Sequence, residues 1–335
     1  KSSRSNRVMR ERFVQYLACP ACRGDIEISV IQSQQSSAIE SGQLKCQDCG
    51  KVYPVVRFIP RFVPDDDYAK GFGFQWLKYR TTQLDSHTGL DISRQRFFAQ
   101  TRWPQNLSGE FVLEAGCGAG RFTEHAVATG ATVISLDLSL AVEANYANNG
   151  RRDNVLIVQG SIFDMPFKKK FFDKVFCFGV LQHTPDPFKA FASLVSFMKD
   201  GGEIAIDVYR NYWKAWLISK YYLRPLTRHM DPERLFRLVT NYVDFMWPLC
   251  SAIRKIPHIG PQLNLVLGVP DHSGLGVKGA MLKQWAYLDC FDMFGARYDH
   301  PQTLGTVKRW FESQNLKDFD VHQGALGIVV GRGGR

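Results

Sequence analysis

The amino-acid sequence predicts an α/β protein with a small cysteine-bearing module, a core built on a mainly parallel sheet with helices on both faces, and a helical insertion. Short apolar segments alternate with helical patterns from residue 107 onwards, which is typical of parallel strands with crossover helices. A glycine-rich turn follows the first apolar segment, and two Cys-x-x-Cys pairs precede the core. The expected units are a basic tail (1–12), the cysteine module (13–64), a helical linker (65–106), the core (107–209 and 303–335) and the insertion (210–302).

The first strand of the core, predicted at Phe111 to Leu113, leads into a turn whose backbone can bend sharply and approach a ligand closely. The turn contains Gly116, Gly118 and Gly120. The second strand, Thr132 to Leu136, places Asp137 at its carboxyl end, where a carboxylate accepts hydrogen bonds from both ribose hydroxyls. Strand, glycine turn and acidic residue together predict a nucleoside site.

The residue after the turn indicates which nucleoside is bound. Arg121 stands three positions after Gly118, where a dinucleotide fingerprint needs Gly or Ala for close packing of the helix on the strand. Arg121 therefore disfavours NAD as the bound nucleotide. The acidic Glu114 before a Gly-x-Gly-x-Gly turn instead resembles motif I of the class I S-adenosylmethionine-dependent methyltransferases.

The resemblance continues beyond the turn. Segment 159–167 is similar to the family's adenine-side segment, although Ser161 stands where the family usually has an acid, and Asp164 is an alternative partner for the adenine. Segment 179–184 resembles the Val-Leu-His-His segment of small-molecule and quinone methyltransferases. Segments 318–322 and 327–330 resemble the closing strand pair. The resemblance implies a Rossmann-like, seven-stranded methyltransferase sheet of the type 11 kind.

The resemblance also implies S-adenosyl-L-methionine as cofactor. Its expected contacts lie at the carboxyl ends of the first four strands: Glu114, Gly116, Gly118, Gly120, Asp137, Leu138, Ser161, Ile162 and Phe178. Related enzymes fold a preceding segment over the cofactor. Trp76 is therefore expected to cover the methionine portion, and Arg94 or Arg96 to pair with its carboxylate. Ordinary helix packing is the alternative role for these linker residues.

The cysteine module has the pattern of a four-thiolate zinc ribbon. Its two pairs, separated by 23 residues, are Cys19 with Cys22 and Cys46 with Cys49. Facing pairs supply a closed tetrahedral shell, which predicts structural zinc, with disulfides or free thiols as the alternative. Strands are expected at 25–31 and 50–56, with a Ser- and Gln-rich loop at 32–42. The module resembles the small zinc-ribbon subunit that activates tRNA and protein methyltransferases.

Composition constrains the partners and the compartment. The formal net charge is +10, but residues 1–12 supply much of the excess and the rest is scattered, so the nucleic-acid signal is modest. A structural role of the ribbon is favoured over RNA binding. No apolar run is long enough to span a bilayer and no signal-peptide core is evident near residue 1. With thiolate-type cysteine usage, a cytoplasmic protein is expected.

The insertion at 210–302 is too long for a simple connection and is predicted to be a lid that selects the acceptor. An aromatic stripe with helical spacing, interleaved with lysines and arginines, begins it: Tyr212, Trp213, Trp216, Leu217 and Tyr221. Core packing is the favoured interpretation, and peripheral contact with anionic lipid is the alternative.

Methyl transfer needs alignment of the reacting atoms and, for a protonated acceptor, a base. His183, just after the fourth strand, is the first candidate base, and His272 and His300 in the insertion are weaker ones. The predicted function is methylation of a small-molecule, saccharide or lipid-linked acceptor at O, N or C. An RNA methyltransferase, and a cofactor-binding partner protein without activity, remain alternatives.

Overall fold

The cysteine module folds as a four-stranded antiparallel sheet. The computed structural model describes residues 11–35, 38–63, 68–211 and 217–335. The strands follow one another in the sheet in chain order: β1 (Ile26–Gln35), β2 (Ala38–Cys46), β3 (Val52–Val56) and β4 (Ile59–Pro60). The loop expected at 32–42 is wrong, because β1 and β2 pair as far as Gln35 and Ala38. The buried side chains of Ala38 and Ile39 hold this polar hairpin to the core.

The core contains a seven-stranded sheet in the order β10-β11-β9-β8-β5-β6-β7. Strands β5 to β9 are parallel, whereas β11 is antiparallel to both β9 and β10. This confirms the predicted sheet and its closing pair. The strands are β5 (Phe111–Ala115), β6 (Thr132–Asp137), β7 (Val155–Gln159), β8 (Phe172–Phe178), β9 (Met198–Tyr209), β10 (Lys317–Gln323) and β11 (Ile328–Gly334).

Helices cover both faces of this sheet. Neighbouring residues of one strand pack into different apolar clusters, for example Val112 into one and Leu113 into the other. Burial on both faces explains why these strands are continuously apolar. The helices are α1 (Lys70–Lys78), α2 (Asp85–Thr88), α3 (Ile92–Thr101), α4 (Thr123–Ala128), α5 (Ala141–Asn149), α6 (Pro187–Phe197), α7 (Lys220–Thr227), α8 (Pro232–Ile253), α9 (Gly260–Val266), α10 (Gly279–Gly295) and α11 (Leu304–Ser313).

Helices α7 to α10 form the insertion and have a small core of their own. Leu235, Val239 and Val243 of α8 share one face at helical spacing and pack with Phe291 and Phe294 of α10. In the predicted aromatic stripe, Tyr212, Trp213 and Trp216 lie outside the described residues, Leu217 is exposed, and Tyr221 packs beside Ile218 and Met293. Within the described ranges, no helix combines the length and apolarity needed to cross a bilayer.

The cysteine module is docked against the edge strand β7. Arg61, just after β4, forms a parallel bridge with Gln159, and the N–H of Phe62 donates to the Gln159 carbonyl over 2.9 Å. A second bridge joins Leu17 to Phe167. The module therefore covers an otherwise open sheet edge and contacts both ends of segment 159–167.

Candidate functional site

The glycine turn lies at the carboxyl ends of β5 and β6, and its conformation favours glycine. Gly116, Gly118 and Gly120 have φ angles of +78°, +51° and +85°. A Cβ atom added to Gly116 would lie 2.3 Å from Val180 Cγ2, and one added to Gly120 would lie 2.1 Å from Asn145 Oδ1. The turn is therefore both sharply bent and closely packed.

Asp137 lies beside this turn at the end of β6. Its Oδ2 accepts a 2.9 Å hydrogen bond from Gly118 N–H, and its Oδ1 accepts bonds from the N–H and the hydroxyl of Ser139. Burial raises the pKa of Asp137, and these hydrogen bonds oppose the increase. A carboxylate has about four acceptor positions, so one remains for a ligand hydroxyl, and a second becomes free if the Ser139 hydroxyl turns away.

Glu114 lies below the turn, inside the core. Its Oε2 accepts hydrogen bonds from the hydroxyls of Thr123 and Ser135, and Asn145 in turn donates to Thr123. Burial raises the pKa of Glu114 to about 7, while the bonds from Thr123 and Ser135 lower it. Glu114 therefore braces the first strand against α4 and α5, the helices that follow β5 and β6.

The predicted adenine-side residues follow β7 at the same edge of the sheet. Gly160 N–H donates to the Asp137 carbonyl over 2.9 Å, which brings the segments after β6 and β7 together. Ser161 Oγ accepts from the Phe163 N–H, and Ile162 is buried. The Leu138 carbonyl accepts a 3.1 Å bond from Gln159 Nε2.

Phe178 behaves differently from its neighbours at this edge. It ends β8, but its side chain packs into the core, edge-on to Phe122 with ring centroids 5.3 Å apart. Beyond it, Gly179 has a φ of +73°, and an added Cβ would meet nothing within 4 Å. Gly179 therefore borders open space, whereas the side chain of Phe178 does not.

Helix α1 from the linker passes over the turn. A Cβ atom added to Gly118 would lie 3.1 Å from Trp76 Nε1, and one added to Gly73 would lie 3.0 Å from the backbone nitrogen of Leu140. The half-buried Trp76 ring thus lies against the glycine turn. Because an aromatic face stabilises a cation, this position suits a sulfonium group.

The two linker arginines have partners of their own. Arg96 donates from Nη2 to Oδ2 of the fully buried Asp207 over 2.5 Å, whose Oδ1 accepts from Gly179 N–H. The more exposed Arg94 forms an ion pair with Asp91 at 3.4 Å. The charge of Arg96 is thus compensated within the protein.

Arg121 is a candidate cofactor-binding residue. In the sequence it indicated only that a dinucleotide is disfavoured. Its Nε donates to Ser93 Oγ over 3.1 Å and its Nη1 to Gln83 Oε1 over 2.6 Å, so both of these partners are uncharged. Burial, reinforced by the nearby Arg96, lowers the pKa of Arg121 to about 9.

Arg121 is a half-buried cation whose two hydrogen-bond partners are neutral, although the carboxylates of Asp85, Asp289 and Asp207 lie near enough to raise its pKa. Its position beside the turn is suited to an anionic ligand group. No signal in the sequence placed these neutral partners around it.

His183 lies in a short 3₁₀ helix after β8 and is largely buried. Its Nδ1 is 2.9 Å from the Tyr298 carbonyl, which identifies Nδ1 as the donor and leaves the Nε2 lone pair free in the neutral ring. Nε2 lies 3.7 Å from Oδ1 of Asp292, and Phe72 and Tyr209 pack against the ring. The imidazole is therefore held on three sides.

An ion-pair cluster adjoins His183. Asp299 is buried between Lys220, at 2.9 Å, and Arg224, whose guanidinium is in direct contact. Burial raises the pKa of Asp299, but these cations outweigh it and lower the pKa to about 2. Lys220 also lies over the Tyr209 ring, at 5.1 Å from its centroid.

The other two candidate bases lie in different surroundings. His272 forms an ion pair with Asp289 and packs against Trp285, over whose ring Arg121 also lies, so it is on the donor side of the site. His300 is exposed, and its backbone N–H donates to the Gln182 carbonyl. Of the three histidines, only His183 contacts both α1 and the end of β9.

The four predicted metal ligands of the cysteine module converge. Their sulfur atoms all lie within 4.8 Å of one another, with 3.7 Å between Cys19 and Cys49 and 3.4 Å between Cys22 and Cys46. Tetrahedral bonding at about 2.3 Å places sulfurs about 3.8 Å apart, so the arrangement fits zinc. The Tyr53 hydroxyl lies 3.1 Å from Cys19 Sγ. Although burial raises the pKa of Cys19, hydrogen bonds lower it to about 6.

Comparisons with known proteins agree with this arrangement. Residues 113–206 match the family model described as a methyltransferase domain, and residues 10–57 match the one described as Trm112p-like protein. A curated relative, the ubiquinone biosynthesis O-methyltransferase of Pseudomonas fluorescens, is 30% identical over 34% of this chain and 50% of its own length. The same-named protein of Thiobacillus denitrificans is 29% identical over 39% and 59%. The chain spans between 30% and 59% of the first curated relatives it matches.

Solved structures give more distant similarities. The complex between the Haloferax volcanii Trm112 methyltransferase activator and a second protein matches at 13% identity and a TM-score of 0.45, over 81% of this chain and 98% of that one. A Haemonchus contortus phosphoethanolamine N-methyltransferase 2 structure matches at 17% identity and a TM-score of 0.37, over 68% and 38%. At such TM-scores neither similarity bears on function.

The sheet order, the glycine turn and the matched domain together define a class I methyltransferase core of the S-adenosylmethionine-dependent type. The chain joins this core to a Trm112p-like module that carries four converging cysteines. Both parts of the resemblance inferred from the sequence are confirmed.

Proposed function

We propose that the protein transfers a methyl group from S-adenosyl-L-methionine to a hydroxyl of a small-molecule or lipid-linked acceptor that binds beside α1. The observation that carries this proposal is that α1 borders both halves of the site. Trp76 lies against the donor turn at Gly118, and Phe72 packs on His183. One helix thus adjoins the proposed donor and acceptor positions.

Several residues fit the donor. When bound, it supplies an activated methyl group on a sulfonium. Asp137 would accept from a ribose hydroxyl, and Ser161 and Ile162 would border the adenine. Arg121, whose partners Ser93 and Gln83 are neutral, would pair with the carboxylate. Arg96 is a weaker candidate for that carboxylate because it is already bonded to Asp207.

The proposed base is His183. Because its Nδ1 is bonded to the Tyr298 carbonyl, Nε2 can accept the hydroxyl proton as the acceptor oxygen forms its bond to the methyl carbon and the carbon–sulfur bond breaks. Methylation at oxygen, rather than at nitrogen or carbon, is also supported by the similarity to O-methyltransferases of ubiquinone biosynthesis.

Residues 210–302 are proposed to act as the lid over the acceptor. Most of the large apolar side chains exposed among the described residues lie in this segment, including Leu226 at 73% and Phe245 at 81%. Such a surface is suited to an apolar or lipid-linked acceptor. The cysteine module is proposed to bind structural zinc and to hold segment 159–167 through its docking on β7.

The test is methyl transfer from labelled donor to fractionated extract, with separate lipid, small-molecule and RNA fractions. The proposal predicts label in the lipid or small-molecule fraction. His183→Gln should lower the rate by about 10²- to 10⁴-fold, the usual contribution of a general base, with unchanged donor affinity. His300→Gln, at an exposed histidine, is the matched control and should be near wild type.

Each other outcome is informative. Label only in RNA would establish the RNA methyltransferase alternative. Donor binding without label in any fraction would favour the partner protein without activity. Equal rates for the His183 and His300 variants would exclude His183 as the base while leaving methyl transfer intact.

A further inference from the structure

Helix α7 has its polar and apolar faces the other way round from a typical surface helix. Its two cations, Lys220 and Arg224, are buried against Asp299. Tyr222 and Leu226, each two residues after one of these cations, are exposed. Two residues correspond to about 200° of rotation in an α-helix, so the exposed apolar side chains lie opposite the buried cations. A surface helix normally turns its apolar stripe to the core, whereas α7 presents this stripe to the outside.

Helix α8 is apolar on two opposite faces. Val239 and Val243 belong to the core of the insertion. Leu238, Phe245 and Leu249 are exposed, and their intervals of seven and four residues place them on one face. Because Phe245 follows Val243 by two residues, this second face points away from the core. Packing within the described part of the insertion therefore uses only the first apolar face.

Helix α9 joins the exposed stripes of α7 and α8 into one surface. The N–H of Ser219, the residue before α7, donates to the Val266 carbonyl over 3.1 Å. Asn264 Nδ2 donates to the Cys250 carbonyl of α8, also over 3.1 Å. Eleven of the eighteen large apolar side chains exposed among the described residues lie between residues 217 and 266. We call these eleven side chains the outer surface; such an accumulation is typical of a surface that contacts an apolar partner.

The outer surface is bordered by cations. Residues 245–266 include two cations but no Asp or Glu. Of these cations, Arg254 forms an ion pair, whereas Lys255 is exposed. Arg234, which is also exposed, precedes Leu238 by four residues and therefore shares the exposed apolar face of α8. Exposed cations thus lie near both ends of α8.

The charge of this part of the insertion complements a negatively charged partner. The segment that carries the outer surface contains seven lysines and arginines, two of them paired with Asp299, and three acidic residues. Asp231 caps α8 by accepting from Glu233 N–H, and Asp244 pairs with Lys283. A second copy of the chain would bring like charges face to face, because a two-fold interface pairs each patch with itself. An anionic partner meets no such repulsion.

We propose that the outer surface binds a bilayer that contains anionic lipids, with α7, α8 and α9 lying in the plane of its interface. Leu226 and Phe245 enter the boundary of the acyl chains, and Arg234 and Lys255 contact lipid phosphates. The Tyr222 ring, with its apolar body and polar hydroxyl, suits the level of the headgroups. This inference goes beyond the proposed function, because contact with a bilayer depends neither on the methyl acceptor nor on donor binding.

The test is co-sedimentation of the full chain with vesicles of phosphatidylcholine alone, or of phosphatidylcholine and phosphatidylglycerol in equal parts. The protein should bind the mixed vesicles about tenfold more tightly than phosphatidylcholine alone, and added salt should reduce this difference. Phe245→Ser should lower the partition coefficient about tenfold for both vesicle types, because apolar insertion contributes to both. Arg234→Gln with Lys255→Gln should lower it about tenfold for the mixed vesicles only.

Each variant has a matched control. Val52→Ser replaces an apolar side chain that is exposed on the cysteine module, and Lys308→Gln with Arg309→Gln removes two exposed cations from α11. Both controls should bind vesicles as the wild-type protein does. Leu226→Ser replaces Phe245→Ser if circular dichroism shows that the latter does not fold.

The proposal is overturned if the wild-type protein does not bind the mixed vesicles, or if it binds both vesicle types equally. Equal binding of Phe245→Ser and Val52→Ser would also overturn it, since the outer surface would then make no special contribution. Light scattering provides the remaining check. A dimer that Phe245→Ser dissociates would identify the outer surface as an interface between copies of the chain and would refute the bilayer.

Discussion

Replacing Arg61 by alanine should loosen the cysteine module from the core. Arg61 is 7% exposed and donates to Gln159 Oε1 at 2.8 Å and to Glu143 Oε1 at 2.7 Å. Gln159 is fully buried, so its Oε1 would lose this charge-assisted bond, whereas Glu143 keeps Arg57 as a partner. Charge-assisted bonds contribute about 1.5–3 kcal/mol each, which gives a destabilisation of about 3 kcal/mol once local relaxation is allowed for.

Arg57→Ala is the matched control for this experiment. Arg57 contacts the same Glu143 at 2.9 Å, but its side chain is 74% exposed, so its loss should cost less than about 1 kcal/mol. Urea unfolding followed by circular dichroism measures both values. Arg61→Ala should also weaken S-adenosylhomocysteine binding about fivefold, because Gln159 holds the Leu138 carbonyl next to Asp137. Equal destabilisation by the two substitutions would refute the docking argument.

Three further predictions concern Glu114, Arg121 and the cysteine module. Because the pKa of Glu114 is raised to about 7, its contribution to stability is present at acid pH and is lost as the pH rises from about 4.5 through 7. Glu114→Gln should remove this loss of about 1–3 kcal/mol, measured by urea unfolding at several pH values. An unchanged pH profile of the free energy of unfolding would contradict the prediction. Arg121→Gln should weaken S-adenosylhomocysteine binding about tenfold in calorimetry. The affinity for adenosine, which has no carboxylate, should be unchanged. Equal losses of affinity for the two ligands would exclude the contact between Arg121 and the carboxylate. Purified protein should contain one zinc ion per chain by mass spectrometry. The double variant with Cys22→Ser and Cys49→Ser should lose the ion and have a lower unfolding midpoint. Metal-free protein as stable as the zinc-bound protein would rule out structural zinc.

Local patterns predicted the elements of the core well. The strands expected at Phe111 to Leu113 and Thr132 to Leu136 are the start of β5 and most of β6. Helix α6 begins at Pro187, where Asp186 caps it by accepting from Lys189 N–H. Continuous apolar segments and caps are properties of short stretches of sequence. The hairpin at 32–42 was missed because its residues are polar and only pairing across the hairpin makes them strands.

The functional contacts were less predictable because they depend on distant parts of the chain. Spacing alone predicted that the glycine turn and Asp137 would lie side by side, and Gly118 N–H does donate to Asp137. Asp207, which compensates the charge of Arg96, lies 111 residues away in the sequence. This contact and the bond from Arg121 to Ser93 arise only when α3 packs on the sheet.

The central claim is that the turn at Gly116 to Gly120, with Asp137, binds the methyl donor. Calorimetric titration of S-adenosylhomocysteine into wild-type protein and into Asp137→Asn tests it most directly. We expect S-adenosylhomocysteine to bind the wild-type protein. Its affinity for the variant should be about tenfold to a hundredfold lower, since one charge-assisted bond to a ribose hydroxyl is weakened. The urea midpoints of the two proteins should be similar. Equal affinities, or no binding to folded wild-type protein, would contradict the placement of the donor.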